Sequence, residues 1–193
     1  MNNRQSGQDR RSRRTKALLT DALLTLLETR NLKDISVKEL CEKADINRGT
    51  FYLHYHDIYE MMEQVERELL AQFDGFLSGY TAEELHMDPY PLIYDMFQFT
   101  ADNARLFRVL LGSHGNGACL SSLKGLVRDR FLHDWFGKAQ GESCARLEYS
   151  YDFLAAGWTG LIESWLFSEH QEPIAEMAAL AGSIIETGIR SLI

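Results

Sequence analysis

Two helix-start signatures follow one another closely between Ser36 and Asn47, leaving room for only one short helix and one tight turn. In Ile35-Ser36-Val37-Lys38-Glu39-Leu40, Ser36 is a capping residue, Glu39 three positions on closes a capping box, and Ile35 can staple onto Leu40. The pattern predicts a helix from Val37, with Val37, Leu40, Cys41 and Ala44 on its inner face. Ala44-Asp45-Ile46-Asn47 then breaks the spacing, and Asn47 caps a second helix running from Arg48 to about Tyr55, with Ile46 placed to staple onto Phe51.

Both short helices need a brace. Upstream, Leu19, Ala22, Leu23, Leu26 and Leu27 make one apolar stripe on a helix over residues 15–30, with Asn31 as a left-handed stop. Downstream, Asp57 and Glu60 repeat the cap signature and open a helix to about Leu77. Further helical spacing covers residues 90–100, 103–111, 119–139, 145–170 and 174–192, and only Pro89, Pro91 and Pro173 interrupt the chain. The expected fold is all-α with about nine helices, a three-helix N-terminal module followed by a helical bundle. The first 14 residues carry Arg4, Arg10, Arg11, Arg13 and Arg14 among polar neighbours and cannot bury an apolar face. They are expected to form a flexible basic segment, either a solvated tail or an arm that follows phosphates.

Two short helices joined by a tight turn and braced by a third are the helix-turn-helix arrangement. Charge agrees with it. The chain as a whole carries −8, yet residues 1–56 hold 11 Lys and Arg against 7 Asp and Glu, while residues 57–193 hold 9 against 21. A basic head on an acidic body fits a nucleic-acid reader better than the average does. In the second short helix Phe51 and Tyr55 face the core, while Arg48, Thr50 and Tyr52 can reach bases or phosphates. Gly49 permits close approach of the backbone to DNA. Arg48 is the one side chain there able to bond a guanine bidentately.

These residues carry a resemblance. Over 15–60 the chain resembles the TetR family of regulators: the bracing helix, Ile35-Ser36-Val37-Lys38-Glu39-Leu40, Asn47-Arg48-Gly49-Thr50-Phe51-Tyr52, and a His/aromatic pair before an acidic helix start. The resemblance implies double-stranded operator DNA as partner, with contacts at Ser36, Lys38, Arg48, Gly49, Thr50, Tyr52 and His54. Within that set it implies that Ser36, Tyr52 and His54 grip phosphates while Lys38, Arg48 and Thr50 approach base edges. The chain departs from the pattern at Ile58, where the family usually has lysine, and at His56, where another basic residue is common.

The resemblance also implies that residues 61–193 bind an effector and form a homodimer through the last two helices. The stripes available are Leu154, Trp158, Leu161, Ile162 and Trp165, then Ile174, Met177, Ala181, Ile184, Ile185 and Ile189, with Ala178, Gly182 and Gly188 allowing close approach. The alternative is that these stripes fill the core of the single chain. An effector pocket is expected among the body's aromatics, with Phe97, Phe107, Phe131 and Trp135 as candidates, although most of these rings also suit a packed core. The glycine-rich turn from Leu111 to Gly117 is similar to one in a subset of TetR-like regulators related to those of dihydroxyacetone kinase.

Other classes find little support. No apolar run reaches the roughly 20 residues of a membrane span, and the polar N-terminus is not a signal peptide, so a cytoplasmic protein is expected. Cys41, Cys119 and Cys144 are widely spaced and read as free thiols. His54 and His56 diverge on a helix, so no metal is expected, and neither is a cofactor. The glycine-rich turn lacks the Lys-Ser/Thr of a phosphate loop, and no nucleophile motif suggests an enzyme. The competing function is an adaptor of the same fold acting through a protein partner.

Overall fold

The computed structural model describes residues 2–112, 117–130 and 142–190. These form ten α-helices and no strand: α1 (Asn2–Leu27), α2 (Val37–Ala44), α3 (Arg48–Tyr52), α4 (Ile58–Leu77), α5 (Ala82–Met87), α6 (Tyr90–Asp102), α7 (Ala104–Leu111), α8 (Gly117–Arg130), α9 (Glu142–Phe167) and α10 (Ile174–Arg190). The fold is all-α, as the spacing predicts. No helix among the described residues is long and apolar enough to cross a membrane.

Several elements differ from expectation, and Asn31 is extended (φ −76°, ψ 151°) rather than the left-handed stop expected after α1. Helix α1 begins at Asn2 rather than near Thr15, so the segment expected as a flexible arm is helical. Arg and Gln are good helix formers, and a helix already nucleated by a packed stripe extends at little cost per residue. Arg10, Arg11, Arg13 and Arg14 are nevertheless exposed, and Thr15, which follows them, is buried. Helix α5 was not expected, although its signal is local: Thr81 accepts from the Glu84 amide while the Glu84 carboxylate accepts from the Thr81 amide.

The chain divides into two compact units, one of Met1–Leu69 with Val109–Asn116, the other of Leu70–Arg108 with Gly117–Ile193. The expected boundary near residue 60 therefore differs from this division, which groups the first turns of α4 and the end of α7 with the head.

In the first unit α1 packs on α2, and Leu19, Leu23, Leu40, Phe51, Met61 and Leu69 form the most deeply buried set. In the second unit α6 packs on α10. Phe97 has no exposed surface and lies 4.9 Å from the Trp158 ring and 5.3 Å from the Trp165 ring, edge to face with the latter. The Trp165 indole N–H donates to the Glu172 carbonyl at 2.9 Å, so this buried ring keeps its polar atom paired.

Candidate nucleic-acid interface

The turn between α2 and α3 is built from backbone chemistry that the residues supply locally. Asp45 takes the left-handed conformation (φ 53°, ψ 43°) that ends α2, and the Ile46 amide donates to the Cys41 carbonyl at 2.9 Å, satisfying a carbonyl the helix leaves open. Asp tolerates this conformation better than most side chains because its short polar group bonds locally. Asn47 then caps α3, its Oδ1 accepting from the Gly49 amide at 2.8 Å. A Cβ at position 49 would stand 3.2 Å from that same Oδ1. Gly49 therefore protects the cap as well as leaving the front of the helix bare.

Helix α3 is shorter than expected, ending at Tyr52 with Leu53 as its C-cap, although the Tyr55 amide still reaches the Phe51 carbonyl at 3.0 Å. Phe51 and Tyr55 are buried, and their rings lie 5.6 Å apart. The opposite side is open: Arg48 and Gly49 are exposed, Tyr52 is 57% exposed, and Thr50 and His54 are half-buried. Leu53, at 81% exposure, joins this surface. The sequence reading missed it because an apolar residue at the end of a short helix reads as core.

Lys16 of α1 lies 5.8 Å above the Tyr55 ring. Burial, with Glu68 and Glu60 adding to it, pushes the Tyr55 hydroxyl up to about 12, so Lys16 meets a neutral ring whose face attracts cations. Burial likewise pushes the Cys41 thiol up, with the charge of Arg48 opposing, which suits a core residue.

At the start of α2 the capping box is complete. Ser36 Oγ accepts from the Glu39 amide at 3.2 Å, and Glu39 Oε2 accepts from the Ser36 amide at 3.0 Å and from Ser36 Oγ at 2.8 Å. A hydroxyl has one proton, and here it goes to Glu39. Ser36, expected to grip a phosphate, thus has its donor committed in the free protein. Lys38 is exposed, with its ammonium 3.9 Å from Glu42.

Helix α4 opens as expected on Asp57, whose Oδ1 accepts from the Glu60 amide at 2.8 Å, but the Glu60 carboxylate reaches back to the His56 amide at 2.6 Å, one residue further than a standard box. Ile58 is buried, so the position where the family usually has lysine makes a core contact in this chain. His56 is exposed. Among the described residues no group of three or more His, Cys, Asp and Glu is placed to hold a metal ion.

The body residues separate into two groups. Ile162, Trp165, Met177 and Ala181, expected at a dimer interface, are buried within the single chain. Leu154, Trp158, Leu161 and Ile185 are half-buried, and Ile184 is 55% exposed. Gly182 sits behind Ile93 of α6, where a Cβ would come within 3.7 Å of Ile93 Cδ1. Among the described side chains, the large apolar groups that α9 and α10 leave open are Tyr149, Phe153, Phe167, Leu180 and Ile184, of which Ile184 was expected at the dimer interface. Of the pocket candidates, Phe97 and Phe107 are buried, Phe107 edge-on to Phe99 at 6.2 Å. Phe131 and Trp135 lie outside the described residues, as does the turn over 113–116.

Known proteins resemble this chain in both sequence and shape. Residues 87–187 match a TetR family model described as the transcriptional regulator C-terminal region. An uncharacterized HTH-type transcriptional regulator of Bacillus subtilis (strain 168), YxbF, is 30% identical over 106 residues, a match that takes in 49% of this chain and 26% of that protein's length. A TetR transcriptional regulator from Streptococcus agalactiae 2603V superposes with a TM-score of 0.62 at 16% identity, covering 93% of this chain and 98% of that one. The dihydroxyacetone kinase operon activator DhaS superposes with a TM-score of 0.57 at 14% identity, covering 92% and 96%. These two likenesses establish the fold. The match over 87–187 covers more than half of the sequence and establishes the lineage: this chain belongs to the TetR family of transcriptional regulators.

Proposed function

We propose that the chain is a sequence-specific DNA-binding repressor that works as a homodimer on a pseudo-palindromic operator. The observation that carries this reading is α3: a capped helix with Phe51 and Tyr55 buried behind it and Arg48, Gly49 and Tyr52 exposed in front. A groove-reading helix needs this division, an apolar back that fixes its angle and a polar, slim front. Arg48 reads a guanine, Lys38 and Thr50 approach neighbouring base edges, and Tyr52 and His54 hold phosphates. The exposed arginines of α1 add phosphate contacts from a helical extension rather than a free arm.

Two-fold symmetry is what a palindrome requires, with the two reading helices about 34 to 36 Å apart. The exposed apolar side chains of α9 and α10, Phe153 and Ile184 among them, support a homodimer, while Trp165, Ile162, Met177 and Ala181 are buried within the single chain. An effector lodged against Phe97 would have to part rings already in contact, since Phe97 has no exposed surface, and it would shift DNA binding only by preferring the DNA-incompetent arrangement. Leu53, exposed beside Tyr52, supports a second reading in which α3 meets a protein partner.

Binding to the DNA upstream of the chain's own gene, across a salt series, separates the two. A repressor shows affinity that falls steeply with salt, with a log–log slope of about −0.9 per phosphate contacted, and loses site preference with Arg48→Ala. Weak binding indifferent to sequence and to Arg48 would move the function to the adaptor.

A further inference from the structure

Arg30 lies outside every helix of the head, between the end of α1 and the start of α2, and its guanidinium holds two separate pieces of that connection. Nη1 donates to Glu39 Oε1 at 3.0 Å, and Nη2 donates to the Asp34 carbonyl in the 3-10 turn Leu32–Asp34. The other oxygen of the same carboxylate, Oε2, accepts from the amide and hydroxyl of Ser36. One carboxylate therefore ties the first turn of α2 to the connection before it, and Arg30 is the cation that holds its free side.

The location has an electrostatic cost. Hydrogen bonds from the Ser36 amide and hydroxyl, with Arg30 after them, hold the Glu39 carboxyl down at about 2, so it is ionised wherever DNA is bound. That anion sits in the first turn of α2, one residue from Lys38, which the proposed function brings to the DNA. Left alone it would repel the phosphate and weaken the amides of the helix start as an anion site. An arginine bonded to the far oxygen offsets the charge without displacing the cap.

We propose that Arg30 is a positioning residue for DNA binding, acting through Glu39: it fixes the capping box so that the α2 N-terminus presents Lys38 to the DNA, and it neutralises the carboxylate that would otherwise repel the phosphates. The inference rests on the DNA-binding reading above. It makes Arg30 part of the interface without a phosphate contact of its own, and it assigns the Ser36 hydroxyl to the cap.

A double-mutant cycle on operator DNA tests it, using the intact protein with Arg30→Ala, Glu39→Gln and both together, and Arg30→Lys as the conservative variant. Arg30→Ala is expected to weaken binding about 5- to 10-fold on every sequence, with Arg30→Lys restoring part of it, and to cost less than about 2-fold in the Glu39→Gln background. The salt slope should stay unchanged, since no phosphate contact is removed. In the free protein, the Glu39 carboxyl should titrate higher by NMR in Arg30→Ala, with the helical circular dichroism retained.

An equal loss in both backgrounds, with the slope reduced by about 1, would make Arg30 a direct phosphate ligand and overturn the proposal. Full affinity in a folded Arg30→Ala protein would overturn it too. A wild-type protein that binds no DNA, while Glu39 still titrates higher without Arg30, would refute the DNA reading itself and take this inference with it.

Discussion

The head and the body solve the same problem, fixing helices against one another, by different means. In the head α2 and α3 are short and the decisive interactions are local: Ser36 with Glu39, Asp45 after α2, Asn47 with Gly49, and Asp57 with Glu60. In the body the long helices α9 and α10 are apolar around more than one side, and what fixes them is packing of residues far apart in sequence, such as Phe97 against Trp158 and Trp165. The head's small elements leave one side of α3 free for work. The body's leave a second apolar face, and a helix apolar on two sides is built to be covered twice. Local chemistry makes a tool of defined shape, and long-range packing makes a platform with a surface to spare.

The largest expected effect sharpens the claim that the body depends on distant packing. Phe97→Ala should destabilise the protein by about 3–5 kcal/mol, because a fully buried ring between two indoles leaves a cavity its neighbours cannot fill. Urea unfolding followed by tryptophan fluorescence checks this, and a change under about 1 kcal/mol would mean the rings are not the core of the body.

Next, the second apolar face is tested by charge. Phe153→Glu, at a side chain 78% exposed in the single chain, should leave monomer stability nearly unchanged and weaken self-association by about 2–4 kcal/mol, read by sedimentation equilibrium. A protein that stays dimeric with Glu at position 153 would move the interface elsewhere.

The head should answer in the opposite sense, losing function with little stability. Arg48→Ala should cost about 1–3 kcal/mol of discrimination between the operator and a site with the contacted guanine replaced, with unchanged thermal unfolding. Asn47→Ala should lower stability by about 1 kcal/mol through the lost cap, and a value indistinguishable from zero would show that α3 is held by Phe51 and Tyr55 alone.

The smallest effect is one of pH. Glu39 is depressed from 4.5 to about 2 on folding, so its contribution is fully present above the unfolded value and disappears as pH falls through the folded one. Glu39→Gln should therefore flatten the fall of stability between about pH 4.5 and 2, while the wild type and variant differ by a constant amount above that window. Curves that keep the same slope would mean the box does not survive in solution.

Much of the head was legible because its determinants lie within a few residues of one another. Ser36-x-x-Glu39 and Asn47 marked the starts of α2 and α3, and the i, i+4 spacing of Phe51 and Tyr55 predicted which side is buried. Arg30 escaped because its partner Glu39 is nine positions away across an irregular connection, beyond any helical spacing rule. The length of α1 was misjudged because a polar segment continuing a packed helix bears no apolar stripe of its own.

In the body, periodicity named apolar stripes but could not say which layer each would meet. Ile162, Trp165, Met177 and Ala181 are the most regular members, and they turn toward the chain's own interior, while Tyr149, Phe153 and Leu180 face outward. By itself, then, the sequence determined the helices, their caps and the two-sided character of α3, because hydrogen bonds at helix ends and side-chain spacing are properties of a few adjacent residues. Only the tertiary structure decided which apolar face of α9 and α10 is spent on the core and which remains, because that choice depends on where α6 lies, and no residue of α9 or α10 carries that information alone.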